Sequence, residues 1–275
     1  MSGAGLAGQC VRSGLRWLSV LLCGAWGALA LAAEAELRPD WAACFATAEA
    51  QGTVVVEDAR SVPPRRLVHA PERARQAFSP ASTFKIPHSL FALDAGLLRD
   101  EFEVIPWDRR ERPIAAWNRD QDLRSALRES TVWVYERFAE QLGEAREAAY
   151  LQRIGYGNQR TDGAAPFWIE GELAISAEQQ IDFLRALQRE QLPFRGEHQR
   201  LLKAALRNAA GPDWSLHAKT GWSGRIGWWV GWVEWPQGPV FFALNIDTPG
   251  RLNDLPKRQA IGRCVLRSLQ ALSPE

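Results

Sequence analysis

The sequence predicts an α/β fold in which helices flank an antiparallel sheet built from both ends of the chain, with a mostly helical lobe between them. Strand patterns occur at 52–58 and 67–70, and again at 214–220, 226–235 and 240–246. The connections between the late strands are short, as in antiparallel neighbours. The residues between the two groups of strands are mainly helical in periodicity, so the helices can form a second lobe. We expect a site in the cleft between sheet and lobe.

The helices are predicted from apolar residues spaced three or four apart, bounded by capping residues and glycines. Ser176 to Gln179 resembles a capping box. The segments 105–118 and 156–166 are predicted to be loops because they contain proline or glycine and little periodicity. In chain order the predicted helices are 41–50, a helix that opens at the turn 78–81 and ends at Gly96, 123–129, 134–142, 145–154, 176–190, 197–208 and 255–272.

The composition is that of an ordinary globular protein. The 275 residues are 46% apolar and 24% charged, and the net charge is +1. No basic run stands out, so we expect no nucleic-acid partner. The histidines His69, His88, His198 and His217 share no ligand spacing, and we therefore expect no metal site.

The first 32 residues have the pattern of an export signal. Arg12 and Arg16 precede the apolar run 17–33, and Ala30-Leu31-Ala32 matches a cleavage site. The alternative is an uncleaved anchor, because the apolar run is nearly long enough to span a bilayer. We expect a signal peptide at 1–32 and a mature domain at 33–275, located in the periplasm or outside the cell and without stable membrane association after cleavage.

Two cysteines remain once the predicted signal is removed. Cys44 and Cys264 both lie on predicted terminal helices. An oxidising compartment permits a disulfide between them. We nevertheless expect two buried thiols, because free cysteine is often buried as a small apolar residue.

The turn that opens the predicted helix ending at Gly96 carries a possible nucleophile and base. Ser82 and Lys85 are three residues apart, so one helical turn places hydroxyl and amine on the same face. The helix N-terminus adds N–H groups where an oxyanion could form. The spacing alone also fits a solvated lysine on an ordinary helix.

Three further stretches are suited to join Ser82 and Lys85. They are Ser130-Thr131-Val132, Tyr156-Gly157-Asn158 and Lys219-Thr220-Gly221. Each alone also has a structural interpretation, as a cap, a turn and a solvated charge. We expect Gly221 to let a substrate backbone lie against the strand edge.

With Phe167-Trp168 and the stretch 228–232, these motifs in this order resemble the class D β-lactamases, or oxacillinases. The resemblance covers essentially the whole predicted mature chain, and 121–126 and 244–248 bring it close to the oxacillinase-2 branch. It implies the serine β-lactamase and penicillin-binding transpeptidase-like fold. It also implies hydrolysis of the β-lactam ring of penicillin-type antibiotics, and hence antibiotic resistance.

The resemblance implies that Lys85 is N-carboxylated. A free lysine has a pKa of about 10.4, and burial can lower it by roughly 3 to 5 units. Val132, Phe84, Ile169 and Trp168 are the apolar residues available to bury it. A neutral amine can add carbon dioxide, and the carbamate formed is a base for acylation and deacylation. No other cofactor is expected.

The remaining roles are carried over from the family position by position. Ser82 attacks the lactam carbonyl, and the backbone N–H groups of Ser82 and Trp222 form the oxyanion hole. Trp168 donates its indole N–H to the carbamate. Ser130 and Lys219 relay a proton to the departing nitrogen.

The implied substrate-binding residues are Val132, Ile169, Thr220, Gly221, Trp222 and Arg258. Thr220 and Arg258 match the positions that bind the substrate carboxylate. Arg258 is preferred over Lys257 because a guanidinium pairs with a carboxylate through two hydrogen bonds. Val132 and Ile169 are expected to gate solvent.

Two alternatives remain open from the sequence. A β-lactam sensor would be acylated with little turnover, but such domains normally follow several membrane spans, and this chain has at most one. A transpeptidase or carboxypeptidase would have no use for Trp168 and a carbamate. The turn 221–226 is short, so the substrate spectrum stays open, as does the choice between monomer and homodimer.

Overall fold

A computed structural model describes residues 35–273 of the chain. The predicted signal peptide lies outside the described residues, so its boundary at residue 32 stays a prediction. Among the residues that are described, no helix is both long and apolar enough to cross a membrane.

One antiparallel sheet joins the two ends of the chain, as predicted. Strand β2 from the N-terminal part pairs with β7 from the C-terminal part, and the order across the sheet is β1-β3-β2-β7-β6-β5-β4. All neighbours are antiparallel except β1 and β3. The strands are β1 (Glu36–Leu37), β2 (Gly52–Asp58), β3 (Arg65–His69), β4 (Arg207–Ala210), β5 (Ser215–Trp222), β6 (Ile226–Glu234) and β7 (Val240–Asp247).

The helices cover both faces of the sheet and build the lobe beside it. Short 3₁₀ segments lie at Pro39–Trp41, Ala81–Phe84, Ala115–Trp117 and Arg251–Asp254. The α-helices within the described range are α1 (Ala42–Thr47), α2 (Pro71–Arg75), α3 (Lys85–Asp94), α4 (Leu123–Arg128), α5 (Val132–Leu142), α6 (Glu144–Ile154), α7 (Ala177–Gln188), α8 (Gly196–Ala205) and α9 (Leu255–Ser268).

The capping box predicted at the start of α7 is confirmed. The backbone N–H of Gln179 donates to Ser176 Oγ at 3.2 Å, and the backbone N–H of Ser176 donates to Gln179 Oε1 at 3.0 Å. Two donors that helix geometry leaves unpaired are therefore satisfied by side chains.

The predicted helix 197–208 is wrong at its end. The helix stops at Ala205, and residues 207–210 form the edge strand β4, which pairs with the start of β5. Asn208 Oδ1 also accepts a hydrogen bond from the backbone N–H of Ala218 at 2.8 Å. Four residues carry too little periodicity to indicate a strand, and only the approach of β5 supplies their partners. Helix α9 likewise ends at Ser268 rather than 272, and α2 was not predicted.

The sheet separates two apolar layers, and alternate residues of its strands enter different layers. On β2, Val55 belongs to the apolar layer that also contains residues of α3, α5 and α7, whereas Val54 and Val56 belong to the layer that contains residues of α1 and α9. On β6, Trp228 and Trp229 divide in the same way. This alternation follows from the period of two in a strand.

The expectation of two separate thiols is wrong. Cys44 on α1 and Cys264 on α9 form a disulfide, with Cα atoms 5.9 Å apart. The two helices pack against the same side of the sheet, where Trp41 Nε1 also donates to Ser268 Oγ at 3.0 Å. The two cysteines are 220 residues apart in the chain, so no local sequence pattern indicates that they are close in space.

Candidate active site

Ser82 and Lys85 lie where the 3₁₀ turn 81–84 runs into α3. The Lys85 amine donates to Ser82 Oγ at 2.9 Å, as their spacing predicted. Ser82 is half-buried beside the lobe, whereas Lys85 is fully buried. A serine hydroxyl is thus open to a ligand while its basic neighbour is kept from water.

Burial changes the protonation of Lys85. Desolvation lowers the pKa of its amine to about 7, and only the negative charge of Glu136 opposes this shift. A large fraction of the amine is therefore neutral near pH 7, which a lysine in water never reaches.

Trp168 supplies a hydrogen-bond donor that has no acceptor. The side chain is buried, and its indole Nε1 makes no hydrogen bond to any described group. Its ring stacks on Phe84 with centroids 5.6 Å apart. A buried donor without an acceptor costs free energy, so this indole fits a site for an anionic group, as carboxylation of Lys85 requires.

Lys219 on β5 reaches Ser130 in the helical lobe. Its amine donates to Ser130 Oγ and to the Thr220 carbonyl oxygen, each at 2.9 Å. Burial first, and then the charges of Lys85 and Arg258, lower the pKa of Lys219 well below its ordinary value. Ser130 itself has a left-handed backbone with φ of 57° in the short link between α4 and α5, which directs it toward β5.

Gly221 brings β5 against the Ser82 segment. A Cβ at this position would lie 2.9 Å from the Pro80 carbonyl oxygen and 3.1 Å from the Thr83 backbone nitrogen. We expected this glycine to make room for a substrate backbone, but in the structure it makes room for the backbone around Ser82. Trp222 ends β5 next to it, and its indole donates to Thr248 Oγ1 at 3.1 Å.

Arg258 points into the site and Lys257 does not. The Arg258 guanidinium donates to the Gly221 carbonyl oxygen at 2.6 Å, and burial lowers its pKa to about 10. Lys257 instead pairs with Asp254 at 2.9 Å. Sequence reasoning missed Gly227, where a Cβ would lie 2.7 Å from Arg258 Cδ. A glycine just after the short turn was the only signal.

Val132 and Ile169 are half-buried on the two sides of this region. Val132 opens α5 two residues after Ser130, and Ile169 follows Trp168. The loop that holds Ile169 is fixed by Ser79, whose hydroxyl donates to the Trp168 carbonyl oxygen at 2.9 Å. No sequence pattern singles out Ser79, because a lone serine in a turn has many possible partners.

The Tyr156-Gly157-Asn158 stretch has a structural role. Gly157 packs on the Ala174 carbonyl oxygen, and Asn158 exchanges hydrogen bonds with the backbone of Ala174 and Glu172. Tyr156 is buried behind the Ser82 turn. Its neighbour Gln180, which sequence reasoning also missed, donates to Thr83 Oγ1 at 3.0 Å.

The arrangement as a whole can support nucleophilic catalysis. It contains a serine hydrogen-bonded to a buried amine whose pKa is lowered to about 7, and a second hydroxyl–amine pair formed by Ser130 and Lys219. Within residues 35–273, no three His, Cys, Asp or Glu side chains are grouped as they would be around a metal ion.

The fold and the site define a serine penicillin-recognising protein. Residues 52–267 match the family described as the penicillin binding protein transpeptidase domain. Beta-lactamase OXA-2 of Salmonella typhimurium is 58% identical over 86% of both chains. Beta-lactamase OXA-48 of Klebsiella pneumoniae is 44% identical over 88% of this chain and 92% of its own.

Solved structures agree with these relatives. The class D β-lactamase YbXI from Nostoc superposes with a TM-score of 0.80 at 34% identity, covering 84% of this chain and 99% of its own. FUS-1 (OXA-85), a class D β-lactamase from Fusobacterium nucleatum, gives 0.82 at 32% identity over 86% and 100%. The chain belongs to the class D β-lactamases, and the family and fold predicted from its motifs are confirmed.

Proposed function

We propose that this protein hydrolyses the β-lactam ring of penicillin-type antibiotics through an acyl-enzyme on Ser82, and so confers resistance. The observation that carries the proposal is the fully buried Lys85 amine, 2.9 Å from Ser82 Oγ, with its pKa lowered to about 7. A base that is neutral near pH 7 can take the serine proton as the C–O bond forms.

Lys85 is also the proposed site of carboxylation. Carbon dioxide bound to its amine would supply a carboxylate base at this position. The lowered pKa supports this because only the neutral amine reacts, and the unpaired indole of Trp168 supports it because that N–H is suited to hold an anion. The Lys85 amine also lies 5.1 Å from the centre of the Tyr135 ring, and the side chain is fully buried, so water is excluded.

The leaving group is protonated by the pair formed by Ser130 of the helical lobe and Lys219 of β5. Lys219 donates to Ser130 Oγ, which leaves the hydroxyl hydrogen of Ser130 to point at the lactam nitrogen. As the C–N bond breaks, that hydrogen passes to nitrogen, and the ammonium form of Lys219 donates a proton to Ser130 Oγ and becomes a neutral amine. A low pKa suits Lys219 to this exchange.

The substrate is oriented by the end of β5 and by α9. The backbone N–H groups of Ser82 and Trp222 are proposed to hold the carbonyl oxygen, and losing one such donor typically costs about 100- to 1000-fold in rate. Thr220 and Arg258 are proposed to bind the carboxylate, with Gly221 setting the approach of the strand. Val132 and Ile169 are proposed to control the access of water for deacylation.

The proposed location is the periplasm, reached through cleavage of residues 1–32. The charged first segment and the apolar run that follows support export. The disulfide between Cys44 and Cys264 supports it independently, because such bonds persist in oxidising compartments.

The test is hydrolysis of a chromogenic cephalosporin and of penicillin by purified residues 33–275. Protein decarboxylated at acid pH should lose activity and regain it when bicarbonate is added. Ser82→Ala should lose essentially all turnover, by about 10⁶-fold if the serine is the nucleophile. Indifference to bicarbonate would contradict the carbamate, and an active Ser82→Ala would contradict the acyl-enzyme. Stoichiometric labelling by penicillin without turnover would favour the sensor.

A further inference from the structure

The loop that carries Trp168 has a cavity on its outer side. The cavity has a volume of about 630 Å³ and is lined by residues 161–168 together with acidic side chains of α5 and α6, among them Glu136, Glu144 and Glu147. The loop is therefore not packed against an element on that side. Its position depends on contacts on the inner side, toward α3.

Two kinds of inner contact hold Trp168. Ser79 fixes the backbone, since its hydroxyl donates to the Trp168 carbonyl oxygen. The indole ring lies against Phe84, stacked at 5.6 Å, and against His88, edge to face at 5.2 Å. The orientation of the indole N–H is thus set by two side chains of the Ser82–α3 segment.

His88 is itself held by Glu147. The imidazole Nε2 lies 2.6 Å from Glu147 Oε1, with both side chains essentially inaccessible to solvent. The contact is short but is not aligned as a hydrogen bond. A buried carboxylate is retained in a protein when it has such a partner. Glu147 also forms part of the cavity wall.

His88 contacts the surroundings of Lys85 as well. Its ring lies 5.6 Å from that of Tyr135, and the Lys85 amine lies 5.1 Å from the centre of the Tyr135 ring. His88, which Glu147 contacts, therefore touches both the Trp168 ring and the Tyr135 ring in the surroundings of Lys85. Neither His88 nor Glu147 has a part in the proposed chemistry.

We propose that Glu147 is a positioning residue for this site. It fixes the ring of His88, which in turn fixes the ring of Trp168, whose indole N–H is the proposed donor to the carbamate of Lys85. The inference rests on the proposed carboxylation of Lys85. The competing explanation is that Glu147 and His88 only join α6 to α3 and stabilise the lobe.

The experiment measures carboxylation without substrate. Purified wild type, Glu147→Gln and the matched control Glu144→Gln are decarboxylated and titrated with ¹³C-bicarbonate, and the carbamate signal is followed by ¹³C NMR. Glu144 is on the same helix and the same cavity wall, but it is exposed. Thermal unfolding of each variant is recorded in parallel.

We expect Glu147→Gln to require about tenfold more bicarbonate for half occupancy, by analogy with the loss of partners that orient metal ligands. Glu144→Gln should match the wild type. The activity of Glu147→Gln should recover at high bicarbonate, which a merely structural loss would not do.

The experiment distinguishes failure of the positioning role from failure of the proposed carboxylation. A folded Glu147→Gln that titrates like the wild type overturns the positioning role. A wild type without a carbamate signal overturns the carboxylation in the proposed function instead. If Glu147→Gln does not fold, Glu147→Asp replaces it, because a shorter side chain withdraws the carboxylate from His88, and the same comparison applies.

Discussion

Single residues at this site have properties that their neighbours impose on them. Lys85 and Lys219 are both buried, and burial is the largest cause of the lowered pKa of each. No group within the described range accepts a hydrogen bond from the buried indole N–H of Trp168. Such features cost stability and are usually found where chemistry needs them.

The pKa of Lys85 predicts how activity depends on pH. Because the pKa is about 7, the neutral fraction of the amine is about one half at pH 7 and about one tenth at pH 6. Only the neutral form adds carbon dioxide or takes a proton, so activity should fall as the pH drops below about 7 and should level off above about 8.

Initial rates of enzyme equilibrated at one fixed, sub-saturating concentration of dissolved carbon dioxide, between about pH 6 and 8.5, measure this dependence. Parallel thermal unfolding serves as the control for acid damage. Equal rates at pH 6 and 8 in a folded protein would show that the titration of Lys85 does not limit the reaction.

Arg258 and Lys257 are neighbours with different expected roles. Arg258→Ala should raise KM for penicillin about 10- to 100-fold, because a buried hydrogen bond to a charged group is worth about 1.5 to 3 kcal/mol. Lys257→Ala should leave KM unchanged, since the Lys257 amine pairs with the buried carboxylate of Asp254 instead of pointing into the site. Steady-state kinetics of the two variants make the comparison. Equal KM values would refute the assignment of the carboxylate to Arg258.

At the scale of elements, catalysis depends on how closely β5 approaches the turn 81–84. Ser82 and Gly221 are 139 residues apart in the chain. Because Gly221 has no side chain, the backbones of the two segments can meet. The same strand carries Lys219 to Ser130. One strand thereby positions the proposed nucleophile segment, the proposed proton relay and the proposed oxyanion hole.

Gly221→Ala should separate β5 from the Ser82 turn. The added Cβ would meet backbone atoms of Pro80 and Thr83, which cannot move aside as a side chain can. We expect kcat to fall about 100-fold, as for the loss of one oxyanion donor, with a folded protein by circular dichroism.

Gly196→Ala is the matched control. Its Cβ, at the start of α8, would meet only the ends of the Arg200 and Glu190 side chains, and kcat should stay within about twofold of the wild type. Wild-type kcat in Gly221→Ala would mean that the strand can shift without disturbing the site.

At the scale of the whole molecule, the two ends of the chain are tied together twice. Strands β2 and β7 pair along their length, and the disulfide links α1 to α9 on the side of the sheet away from Ser82. The sheet is therefore held together by contacts between distant parts of the chain. The site lies on the side of the sheet opposite to the disulfide.

Cys44→Ala/Cys264→Ala should lower the free energy of unfolding by about 2 to 5 kcal/mol, because the bond closes a very long loop in the unfolded chain. Urea unfolding of oxidised, reduced and variant protein measures the loss. Hydrolysis rates at 25 °C should be unchanged, because the bond is remote from Ser82. A variant as stable as the oxidised wild type would show that packing of α1 on α9 suffices.

The sequence by itself determined the order of the motifs, the period of most helices and strands, and the capping box at Ser176. These features depend on the spacing of residues that are close together in the sequence. The family followed from the motifs together, and Ser82 and Lys85 were placed correctly because three residues make nearly one helical turn.

Only the tertiary structure decided what depends on distant segments meeting. It paired Cys44 with Cys264, turned 207–210 into a strand, and put the backbone of the Ser82 turn where Gly221 was expected to face a substrate. It also placed Glu147 behind His88. Burial and long-range distance arise when the chain packs, so the pKa of Lys85, and with it the chemistry proposed here, is a property of the folded molecule.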